Sequence, residues 1–87
     1  MKVLGLDSIS KESGEIFYMQ KYKAICAIEI QTKHFNFPLQ FSIETGPLGN
    51  KIINIEDFSQ QIDYPVLPVT KQLKEMITNM YKEGNLP

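Results

Sequence analysis

The chain has 87 residues and a mass of 10.0 kDa, which bounds it to one domain and leaves no room for a second catalytic lobe. Nine lysines, no arginine and ten acidic residues give a net charge of -1, so the electrostatic footprint of a general nucleic-acid or anionic-membrane binder is missing. With 43% hydrophobic and 22% charged residues, it is too apolar for a disordered chain and too mixed for a membrane one.

The first candidate element is a strand over residues 2–9. Its N-terminal run reaches Asp7 before any long apolar stretch has formed, so no signal peptide is expected. A polar loop, Ser10 to Gly14, separates it from a second extended stretch. Residues 15 to 33 read as extended throughout, longer than a strand usually runs, so a break is expected at Gln20-Lys21-Tyr22-Lys23. That gives strands over 15–20 and 22–32, with 2–9 pairing to 15–20. A short helix over residues 15–24, capped by Ser13, is the alternative reading.

From Phe37 to Glu44 the apolar residues alternate strictly, Phe37, Leu39, Phe41 and Ile43 on one face and polar residues on the other. This predicts a strand over 37–45 with one wet face. Tyr22, Ala24, Cys26, Ile28 and Ile30 share one parity in the strand before it. Lys51 to Glu56 is β-branched and short, and forms the last strand, 51–56. Centring the first hairpin between His34 and Phe35 places Ile30 opposite Leu39, Ile28 opposite Phe41 and Cys26 opposite Ile43. Centring the second on Leu48 places Phe41 opposite Ile55 and Ile43 opposite Ile53. Both registers bury the same face of the middle strand, which a one-residue slip would not do.

Residues 57 to 67 contain Phe58, Ile62, Tyr64, Val66 and Leu67, too apolar for a free linker, and are expected to run extended across the end of the sheet. Leu73, Met76, Ile77, Met80 and Tyr81 then fall at helical spacing, predicting an amphipathic helix over 68–83. Pro68 suits its first turn, Thr70 is an alternative cap, and Gly84 suits the left-handed residue beyond its end. The fold class is α+β: an antiparallel meander of three to five strands, with one C-terminal amphipathic helix packed on one face to make two layers.

No motif that carries chemistry keeps its meaning in this setting. Gly46-Pro47-Leu48-Gly49 spells G-x-x-G but joins two strands, so it reads as a hairpin turn with Leu48 at its tip. Tyr64-Pro65-Val66-Leu67-Pro68 holds a P-x-x-P that reads as a stiff entry into the helix. Cys26 lies mid-strand on the buried face and His34 in a turn, roughly 25 Å apart at ~3.3 Å per residue, too far for a dyad. One cysteine and one histidine cannot assemble a structural zinc site. Glu56 and Asp57 point to opposite faces, while Glu29 is placed opposite Gln40 and Glu44 opposite Ile25 and Ile52 as surface charges. No catalytic residue, cofactor or metal is expected, and a lone Cys26 points to a reducing, cytoplasmic setting.

The order of three or four strands followed by one helix resembles, in topology, the repeat unit of the Pur family and more loosely the PC4-type single-strand binders. That resemblance implies a sheet face that holds single-stranded nucleic acid on basic and aromatic residues. Here the face carries Glu29, Gln31, Gln40, Ser42, Glu44 and Asn54. The favoured expectation is therefore a small non-enzymatic interaction or assembly module, paired with itself as a homodimer or with another protein. Neither nucleic acid nor membrane is expected as a partner. The alternative is a single-stranded nucleic-acid platform using Phe35, Tyr18, Tyr22 or Phe17. Candidate interaction residues are Ile25 and Ile52, expected side by side on the wet face with strand 51–56 at the sheet edge, and Leu48.

Overall fold

Alternating polarity dominates the first two thirds of the chain and helical periodicity the last third, and the backbone follows that division. A computed structural model describes residues 1–14 and 17–87. Its elements are β1 (Lys2–Lys11), β2 (Met19–Ile30), β3 (Lys33–Thr45), β4 (Lys51–Ile55) and α1 (Val66–Lys82). The strands form one antiparallel sheet in the order β1-β2-β3-β4, a meander with α1 on one face. This is the expected α+β architecture.

The second hairpin has the expected register, Phe41 opposite Ile55 and Ile43 opposite Ile53. The first hairpin corrects the sequence reading. Cys26 faces Phe37, Ile28 faces Phe35 and Tyr22 faces Phe41, because the turn is Gln31-Thr32 and not Lys33-His34-Phe35-Asn36. Both turn residues have positive φ, 50° and 67°, the backbone of a two-residue type I′ turn, whose twist matches that of the strands. The six-residue difference between the registers is even, so every side chain keeps its face and the apolar pairs of both registers look alike.

The strand expected at 15–20 is not a separate element. Residues 15 and 16 lie outside the described residues, Phe17 and Tyr18 form a turn, and Met19 opens β2. The helix considered over 15–24 is excluded because residues 19–24 are strand. Gln20-Lys21-Tyr22-Lys23 does not break β2: Lys21 and Lys23 point to the bare face while Tyr22 is buried, so the polar residues continue the alternation. β1 pairs along β2 from Lys2↔Glu29 to Lys11↔Tyr22, with one extra β1 residue between Val3 and Gly5 and another between Asp7 and Ser10. These bulges hide the period of two in the sequence of β1. Ser8, at φ 52°, lies in the second.

The core is the face shared by Tyr22, Ala24, Cys26 and Ile28 of β2 with Phe37, Leu39, Phe41 and Ile43 of β3, sealed by Val69, Leu73 and Ile77 of α1. Tyr22 stacks on Phe41, its cross-strand partner, at 5.1 Å between centroids. The connector turns at residues 59–61 instead of running extended, and swings the buried Phe58 onto Phe37 at 5.3 Å. α1 begins two residues earlier than expected, behind Pro65, which places Pro68 in the first turn and Thr70 inside the helix. It ends where expected: Gly84 has φ 73°, its N–H donates to the Tyr81 carbonyl, and the Asn85 N–H donates to the Met80 carbonyl. That pair of bonds is a Schellman motif.

Candidate interaction surface

α1 covers one face of the sheet, and the other is left bare. Across β1, β2 and β3 its successive rows read Lys2, Glu29, His34; then Gly5, Ala27, Asn36; then Asp7, Ile25, Pro38; then Ser10, Lys23, Gln40. Nearer the other end, β2, β3 and β4 contribute Lys21, Ser42, Asn54 and then Met19, Glu44, Ile52. The middle of this face is small and apolar, with Ala27 half-buried and Ile25 38% exposed. Charges of both signs surround it. Lys23 pairs with Glu12 at 3.2 Å, and His34 Nε2 lies 3.0 Å from Glu29 Oε2.

The corrected register separates two of the candidate residues. Ile25 sits opposite Pro38 and Asp7, whereas Ile52 sits opposite Glu44, in the row of Met19. Six residues along β2 divide those rows, about 20 Å at ~3.3 Å per residue. Ile25 and Ile52 are therefore not one spot, and Glu29 faces His34, not Gln40. Pro38 and Ala27 take the neighbouring place that Ile52 was expected to fill. Pro38 could have been found in the sequence only with the turn at Gln31-Thr32 in hand. Leu48 is 96% exposed at the tip of the second hairpin, as expected of that turn. The Gly46 N–H donates to the Asn50 carbonyl at 2.7 Å, and Gly49 takes the positive φ of 83°. β4 lies at an edge of the sheet, and β1 forms the opposite edge.

The residues capable of chemistry are held apart. Cys26 is fully buried, and burial pushes its thiol up to about 11. His34 is a strand residue on the bare face, not a turn residue, so the sheet itself stands between the two. Asp57 is exposed, and hydrogen bonds from Ser59 hold its carboxyl below the usual range; one is the Ser59 N–H donating to Oδ1 at 2.9 Å. Among the described residues no three of His, Cys, Asp or Glu converge on a point that could hold a metal. No described helix is long and apolar enough to cross a membrane.

The chain belongs to an uncharacterised protein family that is known by a locus label alone. The model of that family matches residues 1–82, which takes in the whole sheet and all of α1. No curated protein and no solved structure matches the chain.

Proposed function

We propose that this chain is a small non-enzymatic interaction module of the cytoplasm that pairs with a second copy of itself through the bare face of its sheet. The observation that carries the reading is the apolar centre of that face, Ile25 with Pro38 and Ala27, ringed by charges of both signs. A ring of mixed sign does not repel a second copy, and an apolar centre inside a polar rim is the ordinary anatomy of an interface. Four strands ~4.8 Å apart, overlapping over about nine residues, span roughly 600 Å² per copy. Pairing would bury about 1,200 Å² in all, at the low end for a specific complex, so a modest two-fold contact is the form that fits. The non-enzymatic part is supported by the buried, poorly ionised Cys26 and by His34 on the opposite face.

The single-strand platform has less support. The aromatic rings at the middle of the sheet, Tyr22, Phe37 and Phe41, are buried beneath α1, and Phe35 shares their face. Phe17 and Tyr18 lie in the turn before β2. Bases would need rings on the bare face, where the described residues include no Phe or Tyr. Nuclear magnetic resonance on dilution tests the proposal. Shift changes that grow with concentration and centre on Ile25, Ala27 and Asn36 are expected; changes centred elsewhere, or none, would remove the bare face as the contact.

A further inference from the structure

Two creases flank α1 where it lies on the sheet, and they differ in charge. The crease toward β1 is lined by Glu75 and Glu83 with Gln72 and Met76 and has no lysine. The crease toward β4 is a cleft of about 290 Å³ lined by Ile43, Ile53, Tyr81 and Thr78, with Lys51 and Lys82 and no carboxylate. Ile43 and Ile53 are cross-strand partners and form an apolar floor. Lys51 is held over the cleft: its Nζ donates to Thr45 Oγ1 at 2.7 Å and lies 5.7 Å from the Tyr81 ring centroid, a cation–π distance.

Nearby acids are turned elsewhere. Glu44 is on the bare face, on the other side of the sheet, and Glu83 Oε2 accepts a hydrogen bond from Asn85 Nδ2 at 3.1 Å. Among the described residues neither Lys51 nor Lys82 has an ion-pair partner. An apolar floor beneath two unpaired ammonium groups is complementary to one kind of small molecule. We propose that this cleft binds a free amphipathic anion, with a short apolar chain against Ile43, Ile53 and Tyr81 and an anionic head between Lys51 and Lys82. At ~30 Å³ per water-sized group the volume holds about ten heavy atoms, which suits one short chain and not the paired chains of a bilayer lipid.

The test titrates the full chain with octanoate, octanol and acetate, following the methyl resonances of Ile43 and Ile53. Octanoate is expected to give saturable one-to-one shifts. Octanol, which lacks the charge, and acetate, which lacks the chain, should each bind at least roughly 10-fold more weakly. The Lys51→Gln/Lys82→Gln variant, with its fold checked by circular dichroism, should lose roughly 10-fold in octanoate affinity and none in octanol affinity. Equal affinity for octanol and octanoate would overturn the proposal, and this comparison decides even if the double variant does not fold. Unchanged octanoate affinity in a folded variant would also overturn it. So would shifts produced by phosphatidylglycerol vesicles and not by octanoate.

Discussion

The side-chain Oε1 of Gln72 accepts the backbone N–H of Val3 at 3.0 Å, so the helix closes part of the hydrogen-bonding edge of β1. An edge strand presents unpaired donors and acceptors, and this bond joins the two bulges in making β1 a poor template for another strand. Gln72→Ala should lower stability by about 1 kcal/mol, the net worth of one hydrogen bond, as read from urea unfolding midpoints. No loss of stability would mean that water replaces Gln72 at no cost.

The Gln31-Thr32 turn puts a β-branched residue at φ 67°, where threonine is strained. Gln31→Asn with Thr32→Gly supplies the residues that a type I′ turn favours. Thermal unfolding should show the double variant more stable by about 1 to 2 kcal/mol. A destabilised variant would contradict the two-residue turn and with it the corrected register of the first hairpin.

What could be read in the sequence follows from what leaves a local signal. The alternation from Phe37 to Ile43 gave the buried face, and the Gly46-Pro47-Leu48-Gly49 segment gave the second register, because a turn rich in glycine and proline announces itself. Gln31-Thr32 carries no such mark, so the first hairpin was legible in face but not in register. β1 was illegible in pairing because two bulges erase its period of two. The same gap reached the candidate surface. Ile25 was identified from parity alone, while its neighbours depended on the register and changed from Ile52 to Pro38. The cleft beside β4 had no sequence signal at all, since Lys51 and Tyr81 meet only through the packing of α1.

Burial of Cys26 makes a pH dependence. Its thiol is raised from 9.0 to about 11 in the folded chain, so between those values the unfolded chain has lost a proton that the folded chain keeps. The stability this gives is fully present below pH 9.0 and is lost as pH rises toward about 11, amounting to about 2 to 3 kcal/mol. The Tyr22 hydroxyl, raised by burial and then by Tyr81, acts with the same sign at higher pH. Unfolding free energy should therefore fall across this window, and Cys26→Ala should flatten the lower part of the fall. A stability independent of pH there would contradict the buried position of the thiol.

Ile25→Lys and Ile52→Lys should behave differently, because the residues occupy distant rows of the bare face. A charge at Ile25 enters the apolar centre and should weaken self-association at least roughly 10-fold, while one at Ile52 near the rim should change it little. Both side chains are more than one third exposed, so far-ultraviolet dichroism should not change. Equal effects on association would contradict the placement of the contact.

Single-stranded oligonucleotides should bind no more tightly than the weak non-specific range, about 10⁻⁴ M at physiological salt, given a net charge of -1. Fluorescence anisotropy reads this directly. Micromolar affinity that falls steeply with added salt would favour the single-strand platform.

The central claim is self-association through the bare face, and sedimentation equilibrium over a wide range of concentration tests it most directly. The wild-type chain should move with rising concentration from the 10.0 kDa of one copy toward twice that mass, while Ile25→Lys should remain at one copy over the same range. A wild-type mass fixed at one copy throughout, or an Ile25→Lys variant as dimeric as the wild type, would contradict it.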